Sequence, residues 1–263
     1  MMYEIQTYLG ADGLMHCTVC KEPVEAFYPK GSLLEMRKHH RQCACERKAY
    51  AEEAQYYKEK EHRELIARNK KICFEEKEME GFTFQNVERD SGVIRIAEEY
   101  VTNWQKMKQN HMGYLFWGPV GTGKSYLAAC IANALLEKEV TVKMTNFNTI
   151  LNDLFAAEDK TEYIRLLNGY ELLIIDDLGV ERNSEYALEN IFSVIDWRYR
   201  SGKPLIITTN LPLAQLKQET KIEKKRIYDR ILERCIPVKI DGVSRREAMA
   251  NDNMQTMKNI LKI

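Results

Sequence analysis

The sequence predicts an α/β fold, a parallel sheet with helices on both faces, preceded by a small cysteine-bearing module. Three observations carry that prediction. A glycine loop, GPVGTGKS at residues 118–125, lies between a strand-like and a helix-like stretch. An aliphatic run within LLIIDDLGVERN, at 172–183, ends in paired aspartates. A β-branched run within GKPLIITTNLP, at 202–212, ends in an asparagine.

The glycine loop fits the P-loop pattern G-x-x-x-x-G-K-[ST] in full. GYLFWG before it is apolar and aromatic, as a strand entering the loop would be, and YLAACIANALLEKE after it carries apolar residues at helical spacing. Gly121 and Gly123 let backbone N–H groups turn inward around phosphate oxygens, and the helix start adds its positive end. Gly118, Pro119, Val120, Gly121, Thr122, Gly123, Lys124, Ser125 and Tyr126 are therefore expected to cradle ATP. Lys124 reaches the β- and γ-phosphates and Ser125 ligands Mg²⁺. A chance glycine-rich turn is the competing reading, and the strand-to-helix context argues against it.

Adjacent carboxylates repel, and burying either one unpaired is costly. Asp176-Asp177 after buried-type aliphatics is read either as a helix cap or as a cation site beside an activated water. With a nucleotide loop upstream the second reading wins. Asp176 then ends the Walker B strand and holds Mg²⁺, and Asp177 takes the place of the acid that polarises the attacking water. Aspartate is shorter than the more usual glutamate, so slow hydrolysis is expected. PLIITT is of buried-strand type, and the Asn210 that ends it can orient the lytic water if its strand lies between Walker A and Walker B. That is the sensor-1 arrangement of AAA+ ATPases. The alternative for Asn210 is a plain Asn-Leu-Pro turn.

Composition bounds the rest. The chain has 263 residues, enough for one large domain plus a small one, and Lys+Arg and Asp+Glu are equal at 39 each. No global field draws it to nucleic acid or membrane, so any DNA contact must come from local patches. No stretch is long and apolar enough to span a bilayer and no signal-peptide pattern opens the chain. A cytoplasmic protein with no membrane partner is expected.

Of the seven cysteines, Cys17 and Cys20 form C-x-x-C, and Cys43 and Cys45 form C-x-C. Cytosolic disulfides are disfavoured, so two close pairs point to a four-thiolate Zn²⁺ site. His16, His39 and His40 are near enough in sequence to replace one thiolate, and a redox or incidental cysteine set is the alternative. So short a segment also needs a staple to fold. Residues 46–80 lack Pro and Gly, alternate in charge sign and favour helix. They read as a solvated helical connector or, alternatively, as a partner-binding helix anchored by Tyr56, Tyr57, Leu65 and Ile66. The expected division is residues 1–50 for the zinc module, 51–80 for the charged linker and 81–263 for the ATPase domain.

FTFQN, GPVGTGKSYLA, LLIIDDLGVE, PLIITTNLP and RIYDRILERC occur in the order and rough spacing of the DnaC/DnaI-type helicase loaders, which this chain resembles over residues 82–246. The IstB-type transposition helper ATPases share that core but usually lack a cysteine-rich N-terminal module. The resemblance implies an AAA+ ATPase that binds a hexameric replicative DNA helicase through its N-terminal module. It further implies an ATPase domain that binds single-stranded DNA and self-assembles through its ATP sites. So compact a loader suits a phage as well as a bacterium. An IstB-like helper that assembles on DNA and recruits a transposase is the alternative. The resemblance also makes Arg230 the arginine finger, with Arg234 as fallback, and Arg246 the sensor-2 residue, with Arg245 next. On charge alone KIEKKRIYDRILER would be a solvated basic helix.

Overall fold

The structure, a computed structural model, describes residues 6–86, 92–179, 184–242, 244, 253–258 and 260–261. The chain divides into two compact units, one reaching to Leu65 and the other starting at Ile66.

The first unit is built from two short antiparallel hairpins. β1 (Thr7–Leu9) pairs with β2 (Met15–Cys17), and β3 (Glu25–Phe27) pairs with β4 (Lys38–His40). Its core is small: Cys17, Val24 and Cys43 are buried, with Met15, Cys20 and Cys45 packed around them. Apolar side chains meanwhile face water, Leu9, Val19, Phe27, Leu33 and Met36 among them. A core of that size offsets little of the chain entropy of so many residues.

The long helix α1 (Ala44–Cys73) leaves this unit and enters the second. Lys48–Glu52 and Lys60–Glu64 pair along it at i,i+4 spacing, and Tyr56 and Tyr57 are exposed, as a solvated connector requires. Its end differs from the expected linker. Cys73 and the following Phe74 are buried in the main core, and Glu75 accepts hydrogen bonds from Thr145 at 2.7 Å and Thr149 at 2.9 Å.

In the second unit the elements run α2 (Gly92–Thr102), α3 (Trp104–Gln109), β5 (Gly113–Trp117), α4 (Lys124–Leu136), β6 (Val142–Asn146), α5 (Phe147–Ala156) and α6 (Lys160–Gly169). They continue with β7 (Leu172–Leu178), α7 (Glu185–Ser201), β8 (Leu205–Thr209), α8 (Leu213–Lys217), α9 (Ile222–Arg234) and β9 (Cys235–Lys239). The strands form one five-stranded parallel sheet in the order β6-β7-β8-β5-β9. Successive strand residues point to opposite faces. Tyr114, Phe116, Leu172 and Ile174 pack with α2 and α4, while Leu115, Leu173, Ile175 and Ile207 pack with α5, α7 and α9. Burial on both faces is why these strands read as near-continuous aliphatic runs. Pro237 sits on edge strand β9, where a missing N–H is tolerated and discourages edge pairing. Residues 253–258 are helical and exposed.

Candidate functional site

The glycine loop connects the end of β5 to the start of α4. Gly118 has φ 149°, and a Cβ there would collide with the carbonyl oxygen of Ile240. Gly121 has φ 83°, and a Cβ there would strike the Ser244 hydroxyl. Both positions therefore require glycine. The Lys124 ammonium is buried and curls back onto its own loop, donating to the carbonyls of Gly118 at 3.1 Å and Pro119 at 2.7 Å. Thr122 Oγ1 donates to Pro119 at 2.9 Å. Tyr126 packs on Phe82, with centroids 4.5 Å apart, and donates to the Thr83 carbonyl at 3.0 Å.

Asp176 meets this loop across the sheet. The Ser125 side chain lies close enough to its carboxylate to favour the charged form, which puts the two expected Mg²⁺ ligands near each other. Burial pushes the Asp176 carboxyl up from its ordinary value, while Thr208, Ser125 and Lys124 oppose that rise. A pair of oxygen ligands at the start of a helix, beside a buried lysine, fits a Mg²⁺-bound triphosphate.

The paired acids lie in a β-bulge. Ile175 faces Ile207 and Leu178 faces Thr209, so β7 carries one residue more than β8 between those pairs. The strand therefore continues through both acids to Leu178 rather than ending at them. Asp177 absorbs the bulge at φ 57°, a left-handed conformation that aspartate tolerates better than most side chains. The bulge turns Asp177 outward, onto a polar cavity of about 360 Å³ bordered by Glu76, Asn146, Asn148 and Asn152. Asn210 directly follows β8, and β8 lies between β7 and β5. The strand order thus sets the asparagine between the two Walker elements.

Thr208 escaped the sequence reading. Fully buried, it donates to Asp176 Oδ1 at 2.5 Å and accepts the N–H of Asp177 at 2.9 Å. A hydroxyl in an otherwise apolar buried run was the available signal.

Arg230 lies on α9 and pairs with Asp196 of α7, Nε to Oδ1 at 2.8 Å. Among the described residues its hydrogen-bond and stacking partners are all on α7 and α9, and none belongs to the glycine loop. Arg234 stacks on Tyr199 at 4.6 Å. Arg245 and Arg246 lie outside the described residues, although Ser244 just before them reaches Gly121.

In the first unit the thiol sulfurs of Cys17, Cys20, Cys43 and Cys45 all lie within 4.8 Å of one another. Glu22 ties the two cysteine loops together, accepting from the Ala44 N–H at 2.7 Å and from Arg47 at 3.1 Å. The backbone N–H of Glu22 holds the Cys20 thiol down to about 6, while burial pushes the Cys43 and Cys45 thiols up. The histidines are engaged elsewhere. His16 bonds Asp12 and the Lys21 carbonyl, His39 meets the His40 carbonyl, and His40 pairs with Glu46 at 3.2 Å. Four cysteines, with no histidine, could hold a metal ion.

The model of the IstB-like ATP binding protein family matches residues 49–252, so the four cysteines precede the matched region. The replicative helicase loader DnaC of Escherichia coli (strain K12) is 29% identical over 149 residues, covering 55% of this chain and 58% of that protein. The replicative helicase loader DnaI of Bacillus subtilis (strain 168) is 24% identical over 192 residues, covering 67% of this chain and 62% of that protein. Less than two thirds of either relative's length is therefore spanned. A crystal structure of DnaI is similar with a TM-score of 0.58 at 25% identity, covering 68% of this chain and 99% of that one. Among the described residues no helix is long and apolar enough to cross a membrane. With its glycine loop, bulged acid pair and parallel sheet all inside the matched region, this chain belongs to the IstB-like ATP-binding protein family.

Proposed function

We propose that this protein is an ATP-dependent loader that binds a replicative DNA helicase and places it on single-stranded DNA. The observation that carries the reading is that one chain joins a nucleotide cradle to a separate four-cysteine unit. Relatives over the cradle region are named as helicase loaders, which favours loading over the transposition-helper alternative.

Membership of an ATP-binding family and the P-loop geometry support ATPase activity in general. In the proposed cycle Lys124 leaves the carbonyls of Gly118 and Pro119 and turns to the β- and γ-phosphates. Ser125 and Asp176 would hold Mg²⁺, which would supply charge neutralisation at the phosphates. Asn210 orients a water molecule and Asp177 accepts its proton. Hydrolysis is slow, since a short acid in a bulge must reach that water. Arg230 acts in trans, on the γ-phosphate held by a second copy, so hydrolysis reports assembly. Arg246 takes the sensor-2 role.

Cys17, Cys20, Cys43 and Cys45 would hold a structural Zn²⁺ as four thiolates. The unit so stapled presents Leu9, Val19, Phe27, Leu33 and Met36 as the helicase-facing surface. The ATPase domain contacts single-stranded DNA by local basic groups.

Co-purification of the full chain with the host's replicative helicase tests this reading. A complex that forms in ATP and is lost when Cys17→Ser disrupts the first unit is expected. The absence of a complex under every nucleotide condition would refute it.

A further inference from the structure

Helices α7 and α9 meet through a ladder of arginines and rings. Arg226, Arg230 and Arg234 recur at every fourth position of α9 and so share one face. Arg226 lies 4.2 Å from the Phe192 centroid, Arg230 lies 4.7 Å from Phe192 and 5.7 Å from Tyr199, and Arg234 lies 4.6 Å from Tyr199. Asp196 is the carboxylate set between those two rings on α7. Its Oδ1 accepts Arg230 Nε at 2.8 Å, and its Oδ2 forms an ion pair with Arg200 Nε at 2.8 Å.

The three partners differ in freedom. The side chain of Asp196 is 11% exposed, that of Arg230 25% and that of Arg200 75%. Asp196 is thus the fixed point, and Arg200 pairs with its other oxygen from the solvent side. Arg230 is held on a second edge as well, Nη1 donating to the Arg226 carbonyl at 3.1 Å. Among the described residues its Nη2 has no acceptor. What the carboxylate adds is orientation, because it pins the Nε–H of a flexible side chain while the Arg226 carbonyl holds Nη1, and together they fix where the terminal Nη2 points.

We propose that Asp196 is a positioning residue for Arg230, fixing the guanidinium so that its Nη2 edge is offered to a phosphate bound by a second copy of this chain. The inference rests on the reading of Arg230 as a trans donor. Asp196 touches neither nucleotide nor reacting water. Its contribution lies in the donor subunit and leaves the nucleotide site of its own chain intact.

That asymmetry gives the test, a role that ordinary folding damage would not mimic. ATP hydrolysis and nucleotide affinity are measured on full-length chains at assembling concentration with single-stranded DNA. Asp196→Ala should keep ATP affinity and lose at least tenfold in kcat. Mixing it with Lys124→Ala, which has a defective loop but intact Asp196 and Arg230, should restore turnover. Mixing it with Arg230→Ala should restore none, because neither chain then supplies a positioned arginine. Asp196→Asn, which keeps the shape and removes the charge, should show the same pattern and covers the case of a poorly folded alanine variant. If Arg230→Ala is inactive and rescued in trans while both Asp196 variants turn over like the parent, Asp196 does not position it. A loss at Asp196 that Lys124→Ala cannot rescue places its effect in cis and also overturns the proposal. If Arg230→Ala itself hydrolyses normally, the trans-donor reading fails, and the positioning role with it.

Discussion

Thr208 holds Asp176 by a 2.5 Å hydrogen bond from its hydroxyl, and the same oxygen receives the N–H of Asp177. One buried side chain on β8 therefore shapes both acids of the β7 bulge. Thr208→Val removes a charge-assisted bond of about 1.5–3 kcal/mol and lets burial raise the Asp176 carboxyl further. The expected outcome is a fall in kcat of roughly tenfold and a higher Mg²⁺ requirement. A Mg²⁺ titration of ATPase activity checks it, and an unchanged midpoint would remove Thr208 from the site.

Lys124 and Asp177 should separate binding from chemistry. Lys124→Ala deletes the loop's ammonium and should weaken ATP binding markedly. Asp177→Asn keeps the shape, fits the left-handed backbone equally well and removes the base. Binding should be intact and hydrolysis slower by about 10²–10⁴-fold. Nucleotide titration alongside phosphate release distinguishes the two, and parental behaviour in both variants would overturn the Walker assignment.

Metal removal should act on the first unit alone. Protein prepared without chelator should hold about one zinc per chain, and Cys17→Ser or Cys43→Ser should release it. Structural zinc is coupled to folding by about 10–16 kcal/mol in small finger peptides. Its loss should unfold the hairpins while the ATPase core melts as before. Elemental analysis that finds no zinc contradicts the assignment.

Arg198 is buried, and among the described residues no carboxylate pairs with it. It donates to the carbonyls of Tyr170 at 2.9 Å, Glu171 at 2.8 Å and Pro204 at 3.1 Å, and burial pushes its guanidinium down to about 9. These carbonyls stand at the entries of β7 and β8, the strands that lead to Asp176 and Asn210. Arg198→Met fills much of the volume but leaves the carbonyls unpaired, which should destabilise the second unit by ~3 kcal/mol. Urea unfolding measures it.

The strands were legible because both faces of a parallel sheet are buried, so LLII and LIITT stand out against a charged chain. The glycine loop was legible because Gly118 and Gly121 occupy conformations that other residues avoid. The bulge at Asp177 was not, since the extra residue exists only relative to the register of β8. Asp196 was equally hidden, its partner Arg230 lying 34 positions away. The buried end of α1 read as connector because Cys73 and Phe74 are two apolar residues in a charged run. Only the sheet that receives them reveals their place in the core.

The central claim, ATP-dependent loading of a helicase, is tested most directly by unwinding from a closed single-stranded circle annealed to a short strand. A ring-shaped helicase cannot thread onto such a circle by an end. With this protein and ATP present, the host's replicative helicase should displace the strand many times faster than alone, and Lys124→Ala should abolish the gain. Equal unwinding with the parent chain, with Lys124→Ala and with no added protein would contradict the account.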